Sequence, residues 1–339
     1  MKPGPCCSAR AIPLAEWLYE AGIGENRAIR LVESEIAEAR IEILNTLTAG
    51  TVAAARLAEI HVPGRRGLAR LDDGREALVE PLPAALTEGA SILIEIVREP
   101  IPERGRPKPA KARISDGPVR PGPSLWEEIG RPRPEPAIGP DRFEQAGWSE
   151  LLEQAATGEI AFPGGALRLS VTPAMTLFDV DGTLPPAELA RAGAAAAARA
   201  IVRLGIGGSI GIDLPTLPGK AERQAAAAAV DAILPQPFER TAVNGFGFLQ
   251  IVRRRLRASI PEIVQGDPAG AAARALIRRA ERSPGAGPRT LSAHPAVVGL
   301  IERHPDWTAE LARRIGAEVR LRSDPALAIS AGHVQSAHS

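Results

Sequence analysis

The chain has 339 residues, a length that at ~150 residues per unit predicts two compact bodies or one body with a large insertion. Its 41 Lys and Arg stand against 40 Asp and Glu, so the net charge of +1 excludes a globally basic nucleic-acid binder and moves any such case to local clusters. Hydrophobic content of 45% excludes wholesale disorder, while six Phe, four Trp and one Tyr require a core of aliphatic and Ala packing. No apolar run reaches the ~18 residues a membrane span needs, and residues 1–14 (MKPGPCCSARAIPL) lack the apolar stretch of a secretory signal. A cytoplasmic protein without membrane contact is expected.

Residues 1–14 read as a disordered leader, and its adjacent Cys6 and Cys7 do not have the CxxC spacing of a zinc site. Residues 15–42 read as a strand meander with a turn at Gly22 to Asn26, expected to pack against 125–170. Residues 43–100 hold short β-prone pieces separated by PGRRG, DDG and EG, the tight spacing of a small β-barrel of the OB kind. Pro100 to Pro136 is rich in proline and carries Arg104, Arg106, Lys108, Lys111 and Arg113, which predicts a basic linker over 101–124. A short amphipathic helix is expected from Phe143 to Ala156.

Residues 171–265 turn to a βαβ pattern. The apolar strand Met175 to Val180 precedes an Ala-rich helix (Ala187 to Leu204), a Gly207-Gly208 turn and a second strand, Ser209 to Asp213. A helix from Lys220 to Leu234, a strand near Thr241 and an arginine-rich helix from Gly247 to Arg257 follow, and the sheet is expected to be largely parallel. Residues 266–290 read as a second linker and 291–339 as a small αβ domain. The fold class is therefore α/β with α+β character: an inserted barrel, a βαβ core and a small C-terminal piece.

Asp179 and Asp213 each end an apolar strand, with one helix between them, as in a right-handed crossover. If those strands are neighbours, both carboxylates emerge at the carboxyl edge, where open α/β sheets bind ligands, and can share one hard cation. Asp181 points to the same side of an extended strand and adds an oxygen donor. Carboxylates without His or Cys favour magnesium or manganese over zinc. The plainer alternative is that these aspartates cap the following helix or satisfy turn donors.

Leu177-Phe-Asp-Val-Asp-Gly-Thr-Leu184 is similar to the nucleophile loop of haloacid-dehalogenase-like phosphatases, which implies Asp179 as nucleophile and Asp181 as acid/base. That likeness covers eight residues, and Gly266-Asp267 is not followed by the family's acidic loop. A longer likeness runs through Gly207-Gly-Ser-Ile-Gly-Ile-Asp213, the helix with Glu222-Arg223-Gln224, and Asn244-Gly-Phe-Gly-Phe-Leu-Gln-Ile-Val-Arg-Arg-Arg-Leu256. These segments resemble, in order and spacing, the nuclease core of the ribonuclease E/G family. Phe162-Pro-Gly-Gly165 and Phe178-Asp-Val-Asp181 resemble the family's PSGG-like turn and first aspartate strand, so the likeness extends over 158–260, and more loosely over 15–100.

The resemblance implies a magnesium-dependent endoribonuclease acting on single-stranded RNA, with an S1-type barrel, Asp179 and Asp213 as metal ligands, and Asp181 where the family has a supporting Asn. Arg253, Arg254, Arg255 and Arg257 have the chemistry to bind RNA phosphates or to form a solvated helix face. Phe246 and Phe248 could stack a base, though core packing is the better expectation for them. No aromatic residue lies between Gly50 and Pro100, so the barrel offers RNA only phosphate contacts, from Arg56, Arg65, Arg66 and Arg70. The stretch after the barrel is too short for the family's 5′-end sensor. No CxxC follows the arginine segment, so a homodimer would form without the family's zinc link.

His61, His294 and His304 lack partners at ligand spacing and are expected to be surface or cap histidines, while Lys220 and Arg223 at a helix start could face substrate phosphate. Two further readings stay open: a phosphatase using Asp179, and a non-catalytic RNA-binding relic.

Overall fold

The computed structural model describes residues 16–336; the leader with Cys6 and Cys7 lies outside them. Three antiparallel strands, β1 (Glu16–Ala21), β2 (Glu25–Val32) and β3 (Glu35–Ile43), form the opening meander in the order β1-β2-β3. Its apolar residues face two ways. Tyr19 and Ala28 pack on Leu125 and Ile129, whereas Leu18, Ile29 and Ala39 join the main core with Phe143 and Trp148.

A closed five-stranded barrel follows, built from β4 (Val52–Val62), β5 (Arg66–Leu71), β6 (Glu76–Val79), β7 (Ser91–Arg98) and β8 (Ala110–Ile114) in the order β4-β5-β6-β8-β7. Every strand alternates, so Leu57, Ala69, Ala77, Val79, Ile94, Ile96 and Ala112 fill an interior made without aromatic rings. The expected linker over 101–124 is corrected here. Lys111 and Arg113 lie on β8, which pairs with both β6 and β7 and closes the barrel. Composition misled because Ala110 and Ala112 are small enough to fill the interior in a segment dominated by charge and proline.

Short helices α1 (Leu125–Glu128) and α2 (Arg142–Gln145) lead to α3 (Trp148–Thr157). The single helix expected from Phe143 is interrupted at Gly147, whose φ of 92° ends one turn and starts the next. Then comes a six-stranded sheet, with β9 (Glu159–Phe162), β10 (Gly165–Val171), β11 (Thr176–Gly182), β12 (Gly208–Asp213), β13 (Phe238–Arg240) and β14 (Phe248–Arg253) in the order β13-β14-β12-β11-β10-β9. Only the β11–β12 pair is parallel, which corrects the largely parallel sheet. The tight turn at Thr172 to Met175 makes β10 and β11 a hairpin, and only helix α4 (Pro186–Arg203) is long enough to carry the chain back for a parallel neighbour.

Helix α4 forms because Ala dominates it, Pro186 occupies its first turn and Gly205, at φ 66°, closes its end. Its Gly193 lies so close to the sheet that a Cβ would stand 2.3 Å from Val180 Cγ1. Phe178, fully buried beneath it, is a residue whose truncation to Ala costs ~3–5 kcal/mol in cores of this kind. Helix α5 (Lys220–Asp231) covers the next part of the same face.

The segment Gly247 to Arg257, expected as a helix, is instead strand β14 followed by irregular chain. Leu249 and Ile251 alternate with Gln250 and Val252 at a period of two, and that alternation prevails over the arginines' helix propensity. The linker expected over 266–290 is also corrected. After α6 (Ile260–Gly266), residues Pro268–Arg282 form α7, N-capped by Asp267. Helix α7 packs on β15 (Arg289–Ala293), α8 (Pro295–Glu302) and α9 (Pro305–Ile315) beside β16 (Val319–Ser323) and β17 (His333–Ser336). The protein is thus a mixed α/β structure, and no helix among the described residues is long and apolar enough to cross a membrane.

Buried charge locks the parts together. Glu25 accepts from Arg274 at 2.9 Å and Arg278 at 2.6 Å, and Glu20 takes both Arg27 and Arg282. The Arg27 guanidinium lies 4.1 Å from the Phe143 ring centroid. Meander, α2–α3 and α7 are held in one frame by these contacts.

Candidate functional site

One face of the six-stranded sheet is sealed by helices and the other is open. Alternation sends Phe178, Val180, Ile210, Ile212, Leu249 and Ile251 into the helix-packed core. On the opposite face stand Arg168, Asp179, Asp181, Asp213 and Val252, all exposed, with Leu177, Ser209, Phe248 and Gln250 half-buried around them.

Asp179 and Asp213 are directly opposite each other in the parallel β11–β12 ladder. Neighbouring strands lie ~4.8 Å apart, so two carboxylates in one register position and on one face reach a common point between them. Neither accepts a hydrogen bond from the protein among the described residues. The capping alternative is not what the geometry provides, since the N-caps of α4 and α5 are Pro185 and Gly219. No Lys, Arg or His nitrogen lies within 4.0 Å of any of the three aspartates among the described residues; Arg168, across the ladder from Asp179, turns to Glu159 at 3.5 Å.

Two adjacent carboxylates with free lone pairs and no cationic partner fit a hard divalent ion completed by water and substrate oxygens. Asp181 contributes differently, because its Oδ1 accepts from the Gly182 N–H at 3.1 Å and so braces the turn after β11. No group of three His, Cys, Asp or Glu arranged to hold a metal occurs among the described residues.

The aromatic pair does not follow expectation. Phe246 is 84% exposed, whereas core packing was expected for it. The reason is the loop that carries it: Asn244 Oδ1 accepts from the N–H of Phe246 at 2.9 Å and of Phe248 at 3.0 Å, which folds residues 244–248 into a tight turn with Phe246 at its tip. The Leu214 N–H donates to the Gly247 carbonyl at 3.2 Å, tying this tip to the residue after Asp213. Phe248 lies flat on the open face, where Gly211 gives it room.

The arginines are placed elsewhere. Arg253 is on the helix-side alternation of β14, and its Nη1 donates to the Ile206 carbonyl at 3.1 Å. Arg255 pairs with Glu262, and Arg257 with Glu128 at 2.6 Å; Arg254 is exposed. Arg253 pairs with Gly208, at the far end of β12 from Asp213, so the cluster is roughly 17 Å from the carboxylates at ~3.3 Å per residue.

On the barrel, Arg56 donates to the Gly89 carbonyl at 3.1 Å and Arg70 pairs with Glu76 at 2.7 Å, leaving neither guanidinium wholly free. Arg223 donates to the Leu217 and Pro218 carbonyls at 2.6 and 2.8 Å, bracing the loop after Asp213. His61 is in β4 beside Glu59 at 3.5 Å, His294 caps α8 and His304 stacks on Trp307 at 4.5 Å.

Asn244 was the functional candidate that sequence reasoning missed as a separate actor. An Asn two residues before an exposed Phe and three before a Gly is the available signal, since Asn side chains bond their own backbone two residues on. No family model matches this chain, and no curated protein matches it.

Proposed function

We propose that the protein is a magnesium-dependent endoribonuclease of the ribonuclease E/G type, acting on single-stranded RNA. The observation that carries the reading is the in-register pair of unpartnered carboxylates, Asp179 and Asp213, on the open sheet face. The fit of the residues to the ion rests on donor chemistry: two exposed carboxylates opposite each other in the ladder, with no cationic partner among the described residues. When bound, magnesium supplies Lewis-acid polarisation of a phosphodiester and acidifies an attacking water.

The chain's own residues perform the rest. Asp179 and Asp213 hold the ion, and Asp181 fixes the turn behind it. Phe246, raised on the Asn244 turn, offers a ring on which an unpaired base stacks, a contact worth ~1–3 kcal/mol per base. The barrel's strand order, one-two-three-five-four in its own count, supports the S1/OB reading, and the lack of aromatic residues between Gly50 and Pro100 supports a grip that follows charge rather than sequence.

The test is cleavage of an unstructured RNA with and without magnesium. Magnesium-dependent fragments that vanish in Asp213→Asn support the reading. Release of phosphate from a small ester with a covalent species on Asp179 instead supports the phosphatase. RNA binding with a steep salt dependence and no cleavage leaves the non-catalytic relic.

A further inference from the structure

Away from the carboxylates, the Arg253 to Ala258 segment, the Leu204 to Gly207 turn, β3 and α1 enclose a cavity of about 390 Å³. Small-ligand sites begin near ~300 Å³. Five arginines line this one, Arg40, Arg253, Arg254, Arg255 and Arg257, against two acidic residues, Glu38 and Glu128.

The donors there are not used up. Arg40 pairs with Glu38 at 2.7 Å and Arg257 with Glu128, but Arg253 and Arg254 have no carboxylate within 4.0 Å among the described residues. Arg253 donates only to a backbone carbonyl, and burial pushes its guanidinium below the ordinary arginine range. Nε of Arg255 and Nη1 of Arg257 are buried without an acceptor. Orphaned donors on charged groups are costly, and here two belong to arginines that line the cavity. The backbone closes tightly over them: a Cβ on Gly207 would stand 2.8 Å from the Arg254 carbonyl oxygen.

We propose that this cavity binds a phosphate group, at a site separate from the carboxylate edge. Phosphate matches the observations because guanidinium forks bind its oxygens two at a time and a dianion balances the two uncompensated arginines. The phosphate comes either from a small phosphate ester or from the backbone of an RNA strand crossing from the open face. The site does not require the nuclease reading to hold.

The experiment titrates the full-length chain with inorganic phosphate by calorimetry, without magnesium, against chloride at matched ionic strength. Binding above the chloride background is expected. Arg254→Ala weakens it at least ~tenfold, the loss of a charge-assisted hydrogen-bonding group. Arg254→Lys, which keeps the charge and loses the fork, falls between the two. Because Arg254 is exposed, its variants are expected to melt as the wild type does, and Arg253→Gln repeats the test from the buried side. Asp213→Asn leaves phosphate binding unchanged, so failure here and failure of the nuclease reading are distinct results. Displacement of phosphate by a 5′-hydroxyl RNA oligomer identifies the backbone as the source; displacement by adenosine monophosphate alone identifies a small ester. Phosphate heats no larger than chloride's, or equal affinities in wild type and Arg254→Ala, overturn the proposal.

Discussion

The ring of Phe248 lies directly over Gly211, where an added Cβ would stand 2.6 Å from Phe248 Cζ and 2.7 Å from Leu177 Cδ2. The absent side chain lets Phe248 lie on the open sheet face one strand from Asp213, to which it is paired in the ladder. Gly211→Ala is therefore expected to push the ring off the sheet. Overpacking of this kind costs ~1–3 kcal/mol, measurable as a lowered urea midpoint at unchanged slope.

Phe246→Ala is expected to leave stability almost unchanged, because the ring is 84% exposed, while weakening single-stranded RNA binding by about tenfold, the lower part of the range for a lost stacking platform. Asn244→Ala removes the acceptor that shapes the loop and so produces the same loss of RNA affinity, together with a stability loss of about 1 kcal/mol or less, because the freed N–H groups are exposed and turn to water. Fluorescence anisotropy with a labelled oligomer, run beside thermal melting, separates the two effects.

Glu25→Gln breaks the buried bridge to Arg274 and Arg278, leaving Arg278 without a carboxylate partner and Arg274 with only Asp267 at 3.7 Å. Removing one partner of a buried pair costs ~3–5 kcal/mol. The loss is expected in chemical denaturation, with protease cleavage of the α7 region rising in step because Glu25 belongs to the meander and both arginines to α7.

Glu99 sets a pH dependence. Burial holds its carboxyl above the ordinary glutamate value of 4.5, against the opposing pull of Arg257. The folded state thus binds this proton more tightly than the unfolded state does, so the stability associated with it is fully present below pH 4.5 and is lost as pH rises through the raised folded value. Difference melting of wild type against Glu99→Gln between pH 4 and 7 is expected to show that component vanish in the variant. An identical pH slope in both proteins contradicts it.

How much of this was legible depended on period. The strands carrying Asp179 and Asp213 and the Ala-rich helix between them were readable because apolar runs with a crossover-length gap leave few topologies. Their shared edge followed from that. The rest of the sheet was not readable as parallel or antiparallel, since the Thr172 to Met175 hairpin turn contains neither the Asn-Gly nor the Asp-Gly signal. Arginines misled twice: at Arg253 to Arg255, where composition suggested a helix and the Leu249, Ile251 alternation made a strand, and in α7, where Arg274 and Arg278 are buried by pairing with a glutamate 249 and 253 residues away. Long-range charge pairing leaves no local pattern. Phe246 was misread for a related reason, as hydrophobicity predicts burial and the Asn244 turn overrides it.

The most direct measurement is manganese or magnesium uptake by the purified full-length chain, followed by calorimetry or by paramagnetic resonance of bound manganese. One ion per chain is expected in the wild type, lost in Asp179→Asn and in Asp213→Asn alike and retained in Asp181→Asn. Absence of uptake in the wild type, or uptake unchanged by both single substitutions, contradicts a metal centre at the β11–β12 edge.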